Sequence, residues 1–262
     1  LELRNPAHMI AKDLLPLYWL MQAIKQAGLT SPVVNVCFPD VAHSVLAKVG
    51  LCPTVGAGEV ALLAQALRRT VSRAIGKPMN RISVLLIAHH ALLVNPPERV
   101  PYYAKVQLGE DDLTEKLNLD EKIVEAQQLM FKVPELFSSM TASHAVALIC
   151  AILHDTDELL LAPGANGMAG CLPVRVNSRG VKVELPQELS LRKVEAMFNE
   201  GMKVDGIEQI KEDGTIVFTE SAFHILRTVL CIDRKVLRLS ELKEMNEELV
   251  RSYERIRTSR LN

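Results

Sequence analysis

Two adjacent histidines, His89 and His90, close an apolar run at residues 82–88 and are well suited by type to proton transfer. In an open α/β sheet, ligands bind beyond the carboxyl ends of the strands. A histidine there can act as a general acid/base or, when protonated, hold a carboxylate. Neighbours at a strand end point to opposite sides, so one of the two can face a shared site. The plainer reading is one solvated and one hydrogen-bonded imidazole. A second pattern, Gly56-Ala57-Gly58-Glu59-Val60-Ala61, spells G-x-G-x-x-A ahead of a helical stretch, the spacing that cradles a dinucleotide phosphate. Its context is poor, because Pro53 interrupts the segment before it and no Asp or Glu lies between Glu59 and Glu98. A tight turn whose small residues permit close packing is the competing account.

Arg68, Arg69 and Arg73 add a basic helix face. An arginine fork grips a carboxylate in two places, although a solvated face explains the same pattern. Zinc has little support: there is no C-x-x-C pair and no H-E-x-x-H, and His144 and His154 read as packing or capping residues. No G-x-S-x-G nucleophile elbow occurs.

These residues must be positioned by a chain of 262 residues, enough for one large domain or two small ones. Hydrophobic residues at 48% and charged residues at 23% are ordinary globular usage. A net charge of -1 gives no sign of nucleic-acid binding, and no apolar run approaches the ~18 residues of a membrane span. Five cysteines, odd in number and set among apolar neighbours, read as reduced thiols of a cytoplasmic protein. No signal peptide is visible.

Apolar spacing predicts helices over residues 7–27 (with Pro16 breaking or kinking the first part), 40–49 (capped by Asp40), 60–75, 117–131, 138–154, 190–200, 219–230 and 241–257. Strands are expected over 33–38, 51–55, 82–88, 102–108, 158–162, 172–176, 181–185, 207–210 and 216–218. Buried strands that read as parallel alternate with helices up to about His90, and meandering strands with helices follow. That is an α/β segment joined to an α+β domain.

The order of these features resembles the second half of the lactate/malate dehydrogenase superfamily. The motifs are the strand VVNVCFPDV, the turn and helix VGAGEVALLAQALR, the strand end VLLIAHHALL, the Val100-Pro101 dipeptide and the helix SSMTASHAVALICAIL. The later segment GMAGCLPVRVNSRGVKVELPQELSLRKVEAMFNEG resembles that family's late strands and helix. The resemblance covers roughly residues 5–201. It implies an α/β fold class: the C-terminal part of a Rossmann-type parallel sheet over residues 1–88, joined to an α+β substrate domain over residues 89–262. It implies hydride transfer between NAD or NADP and a hydroxy or keto acid, with His90 as the acid/base. Glu59 would orient that histidine. Arg68, Arg69, Thr141 and Ser143 would lie near the substrate, and Asn35, Phe38, Gly56 and Gly58 near the cofactor. No metal is expected.

The sequence departs from the family's pattern at three places. Leu62 stands where an ungapped match expects the histidine-orienting Asp, Gln65 where it expects the substrate-gripping Arg, and Phe38 where Asn precedes the proline. The segment DGIEQIKEDGTIVFTE lies outside the pattern. The family's N-terminal half, with its own G-x-G-x-x-G, is not in this sequence, so the chain is expected to be a fragment. The partners expected are a small-molecule substrate and further copies of the chain. Two alternatives stand beside the dehydrogenase: a non-catalytic binding or regulatory module, and a nicotinamide- and metal-dependent hydrolase using Cys37 with His90.

Overall fold

The computed structural model describes residues 9–132 and 134–259. Helix α1 (Ile10–Gln26) runs through Pro16 without ending, burying Leu14, Leu15, Leu17 and Met21. The break expected at Pro16 is absent, since packing of the buried face outweighs one lost backbone bond. The expected strand at 33–38 shrinks to β1 (Val34–Asn35), because residues 35–37 fold into an Asn-centred turn. Helix α2 (Pro39–Lys48) follows, with Phe38 rather than Asp40 as its N-cap residue. Strand β2 (Val55–Gly56) pairs parallel with β1, Val34 opposite Val55 and Asn35 opposite Gly56.

Helix α3 (Val60–Ile75) buries Leu62, Leu63, Ala66, Leu67 and Val71 and ends at Gly76 in the left-handed conformation. Strand β3 (Ile82–Ala88) pairs antiparallel along its whole length with β4 (Tyr102–Leu108). It is therefore not a parallel strand, as its apolar run led us to expect. Its last three residues, Leu86, Ile87 and Ala88, are buried on both faces, and that occurs here in an antiparallel sheet. Strand β5 (Asp111–Asp112) extends the edge, and helices α4 (Leu119–Phe131) and α5 (Pro134–Leu153) come next.

Strands β6 (Glu158–Pro163), β7 (Cys171–Asn177) and β8 (Gly180–Val183) complete a six-stranded antiparallel sheet in the order β5-β4-β3-β7-β6, with β8 also on β7. Helix α6 (Leu191–Val204) opens at Ser190, whose hydroxyl accepts from Lys193 N. Strands β9 (Ile207–Ile210), β10 (Ile216–Phe218) and β11 (Val236–Leu237) form a small antiparallel sheet around helix α7 (Glu220–Thr228). Helix α8 (Leu242–Ser259) ends the described chain.

Parallel pairing is thus confined, among the described residues, to β1 and β2. Two apolar cores lie on either side of β3. Leu86 and Ala88 face the core made with α3 and α4, and Ile87 faces the larger core that includes α1, α2 and α6. The chain leaves β3 at His89, on the boundary between them. None of the described helices is long and apolar enough to cross a membrane.

Candidate functional site

The alternation of β3 continues into the two histidines, and its consequences differ for each. His89 is fully buried, and its Nδ1 accepts from Ala91 N at 3.1 Å. Burial, ahead of the neighbouring charges, lowers its pKa and keeps the ring neutral, which leaves the proton on Nε2 without a partner. His90 keeps 17% of its side chain exposed, and its Nδ1 lies 2.9 Å from Asp205 Oδ2. Burial lowers the His90 pKa, but the Asp205 carboxylate, its hydrogen bond and the Asp40 charge together outweigh it. The net direction is up.

Asp205 was not singled out from the sequence. It is the C-cap residue of α6, and its own N–H closes on Gly201 O at 3.1 Å. The last turn of α6 lies directly on the strand end: a Cβ on Gly201 would stand 2.3 Å from His89 Cβ. Glycine at that point is what lets the helix deliver a carboxylate to the imidazole. A helix C-terminus carries partial negative charge, which also favours a protonated ring. Only a contact between distant segments reveals this; a signal in sequence was limited to an Asp-Gly stop after an amphipathic helix.

Asp40 was expected to cap α2. Its Oδ2 instead accepts from His90 N at 2.7 Å. Glu59 lies beside it, at the N-cap of α3, with the two carboxyls close enough to share a proton. Asp40 is 0% and Glu59 7% exposed. Burial raises both pKa values, and the Asp40 charge drives Glu59 further up, well above the usual carboxyl range. Glu59 therefore acts on Asp40, and the carboxylate that bonds the His90 ring is Asp205. The thiol of Cys171, buried against the same acids, is pushed well up and stays protonated.

The remaining candidates divide sharply. Phe38, in the left-handed conformation at φ 40°, sets its ring edge-on to His90 with centroids 4.9 Å apart. Asn35 turns inward: its Oδ1 accepts from Cys37 N at 2.9 Å, and its Nδ2 donates to Cys37 O at 2.9 Å and lies 3.2 Å from His43 Nε2. A Cβ on Gly56 would meet Pro39 Cβ at 2.2 Å and Pro163 O at 2.8 Å. Gly58, at φ 97°, faces Thr141 Cγ2 at 3.0 Å from the same imagined atom and donates its N–H to His144 Nδ1 at 2.8 Å. Thr141 Oγ1 is bonded back to Phe137 O. Ser143 lines a separate cleft of about 420 Å³ with Leu62, Gln65, Met140 and His144.

Arg68 donates Nε to Met79 O at 2.8 Å, beside the start of β3. His90 follows the other end of that strand, roughly 20 Å away at the usual rise per residue. Arg69, next to it, is exposed. The fold thus gathers His90, Asp205, Asp40, Glu59 and Phe38, and leaves the arginines and Ser143 apart.

A dinucleotide phosphate does not fit the glycine turn. The space a cradle would offer is filled by Pro39, Pro163 and Thr141, and Asn35 has no polar group to spare. Among the described residues, no group of three or more His, Cys, Asp or Glu is arranged to hold a metal ion.

No protein-family model matches the chain, and no curated protein does. Its structure is similar to solved lactate and malate dehydrogenases. Malate dehydrogenase from Aeropyrum pernix superposes with a TM-score of 0.54 at 19% identity, covering 72% of this chain and 67% of that one. A lactate dehydrogenase from a Medee basin deep-sea metagenome gives 0.58 at 13%, covering 74% and 68%. Lactate dehydrogenase from Cryptosporidium parvum, complexed with lactic acid and nicotinamide adenine dinucleotide, gives 0.57 at 17%, covering 77% and 69%. At these identities the likeness is one of fold: this chain has a mixed helix and sheet architecture of the lactate/malate dehydrogenase kind.

Proposed function

We propose that this chain is the acid/base portion of a dehydrogenase-like oxidoreductase acting on a hydroxy or keto acid. The observation that carries the reading is the His90–Asp205 pair at the end of β3, in a fold similar to lactate and malate dehydrogenases. Asp205 holds the proton on Nδ1 and fixes the tautomer, so Nε2 presents a lone pair. In the oxidising direction, Nε2 takes the proton of the substrate hydroxyl. In the reducing direction, the imidazolium returns it to the carbonyl oxygen. The Asp205 carboxylate and the α6 terminus stabilise the charged ring that exists between these events. Phe38 covers one side of the ring and keeps water from part of it.

The fold likeness supports a nicotinamide dinucleotide, NAD or NADP, as the co-reactant, although the glycine turn does not hold one. We assign residues 1–88 to the nucleotide portion and residues 89–262 to the substrate portion of this reading. Self-association is part of the proposal, because α5 exposes Val146, Ile149 and Leu153 along one face. So is a cytoplasmic setting, for which the free cysteines speak.

The test is turnover of a panel of hydroxy and keto acids with NAD and NADP, for the wild type and His90→Asn. The expected result is a rate in the wild type that falls at least about a hundredfold in the variant. A rate that survives His90→Asn sinks the assignment. The filled glycine turn favours a second reading, a non-catalytic binding module. It predicts that a hydroxy acid shifts the His90 resonances without any turnover.

A further inference from the structure

Three buried acids meet two imidazoles at the end of β3, and the mechanism above uses one of the acids. Asp40 and Glu59 remain. The groups that face them come from every element packed there: His89 and His90 after β3, Cys171 on β7 and Asp205 at the end of α6. Among the described residues, the charges that act on the pair are those of His89, His90, Asp205 and the two acids themselves.

Four side-chain atoms in this cluster are buried without a bonding partner: Asp40 Oδ1, Glu59 Oε2, Asp205 Oδ1 and His89 Nε2. Buried polar atoms are nearly always satisfied, so each such case calls for an explanation. Two carboxyls in hydrogen-bonding contact, away from water, cannot both be ionised, and one proton shared between them satisfies the pair. Its location follows from what each carboxyl faces. Each receives one backbone N–H, Asp40 from His90 and Glu59 from Asp40, but Asp40 faces the two imidazoles, which favour its charge, whereas Glu59 faces the charges of Asp40 and Asp205, which oppose it. The backbone supplies an independent sign. Glu59 sits at φ 54° and ψ -130°, a conformation side chains rarely adopt, and its neighbour across the cluster, Phe38, is also at positive φ. Such strain costs about 1–3 kcal/mol per residue and persists where the surrounding structure demands a particular placement. Here the demand is a carboxyl against Asp40.

We propose that Asp40 and Glu59 form a one-proton carboxyl pair that positions His90 and sets how readily it takes up a proton. Glu59 carries the proton and donates it to Asp40. Asp40 keeps a single negative charge beside the backbone of His90, fixes the turn in which the ring stands, and favours the imidazolium. Both are positioning residues. The proposal rests on the acid/base reading of His90, which gives the proton affinity its use.

The experiment reads the pair without needing turnover. Infrared spectra of the whole chain near neutral pH are recorded for the wild type and Glu59→Gln. His90 titration is followed by NMR in the wild type, Glu59→Gln and Asp40→Asn, with the His90 signal assigned by its loss in His90→Asn. We expect a buried protonated-carboxyl band in the wild type that disappears in Glu59→Gln. We expect the proton affinity of His90 to fall about tenfold in Asp40→Asn, and to stay within about twofold in Glu59→Gln, whose amide still donates to Asp40. Absence of the band, or an unmoved His90 titration in Asp40→Asn, overturns the proposal. If Asp40→Asn does not fold, the band and its loss in Glu59→Gln decide. A wild type that shows the band and the titration shifts but turns over no hydroxy acid sinks the dehydrogenase reading alone. A wild type that turns over while the titration stays put sinks the pair alone.

Discussion

Two strand ends in this molecule carry sequence patterns associated with ligand binding, and the fold treats them in opposite ways. After β2, the glycine turn is packed shut, with Pro39 and Pro163 occupying the space that side chains at Gly56 would need. After β3, polar groups are packed together with atoms left unsatisfied, and His90 keeps part of its ring open. What decides between them is the partner each end receives. The first receives prolines and a threonine, which close it. The second receives the terminus of α6, which brings a carboxylate. A glycine motif therefore reports only that backbones approach closely; whether a ligand or the protein itself fills the approach is settled by the rest of the chain.

The largest effect expected from this contrast is on the closed side. Gly56→Ala puts a Cβ 2.2 Å from Pro39 and should destabilise the chain by about 3 kcal/mol or more, read by urea denaturation. A ligand cradle would tolerate the same methyl structurally and lose only cofactor binding. Unchanged stability would therefore return the turn to the ligand-binding class.

The closed side also holds a neutral buried histidine. His43 has Nδ1 2.9 Å from Gly164 O and Nε2 3.2 Å from Asn35 Nδ2, and burial lowers its pKa to about 4. Its folded value lies below the unfolded one of about 6.5. Its contribution is fully present above about pH 6.5 and is lost as pH falls toward 4. The loss is on the order of 3 kcal/mol, and His43→Gln should flatten that acid limb in a stability–pH series. His90 has the opposite sign: its raised pKa gives stability that is present at pH below the unfolded value and is lost as pH rises through the folded one.

On the open side, His90→Asn is expected to cost at least about a hundredfold in turnover, or roughly 2.7 kcal/mol of barrier, with little change in folding. Asp205→Asn should cost about tenfold or more, because the amide still accepts from Nδ1–H but brings no charge. It should also lower the pH at which His90 loses its proton. A rate limb that stays in place in Asp205→Asn would separate the aspartate from the histidine's titration.

Much of this architecture was legible in the sequence. The spans of α3, β3, β4 and β9 match the apolar runs in the sequence, and α3 and β4 each bury a regular face. Strand partners were less legible. The run Ile82–Ala88 looks the same whether its neighbours are parallel or antiparallel, because burial on both faces at Leu86, Ile87 and Ala88 removes the alternation that would tell them apart. In the site, His90 and Glu59 were visible as types in telling places. Asp205 was not, because its role depends on a contact spanning 115 residues. Asp40 was seen as a helix cap for a local reason, its place just after Pro39, and the fold uses it over a distance of 50 residues instead.

The smallest expected effect sharpens the contrast from a third place, the far end of α3. Arg68 and Arg69 have the chemistry of a carboxylate clamp, yet Arg68 is tied to Met79 O and Arg69 faces solvent. Helix α3 begins at the carboxyl pair and carries the arginines away from it, about 1.5 Å per residue. Arg69→Ala should change stability by no more than about 0.5 kcal/mol, as for an exposed side chain without a buried partner. Its effect on KM for a hydroxy acid should stay within about twofold, since no carboxylate held near His90 can reach it across the length of β3. A tenfold rise in KM with unchanged kcat would mean that substrate is held along α3 rather than at the strand end. The open side of the comparison would then extend over the helix, and the glycine turn at its start would have to be read again as part of that surface.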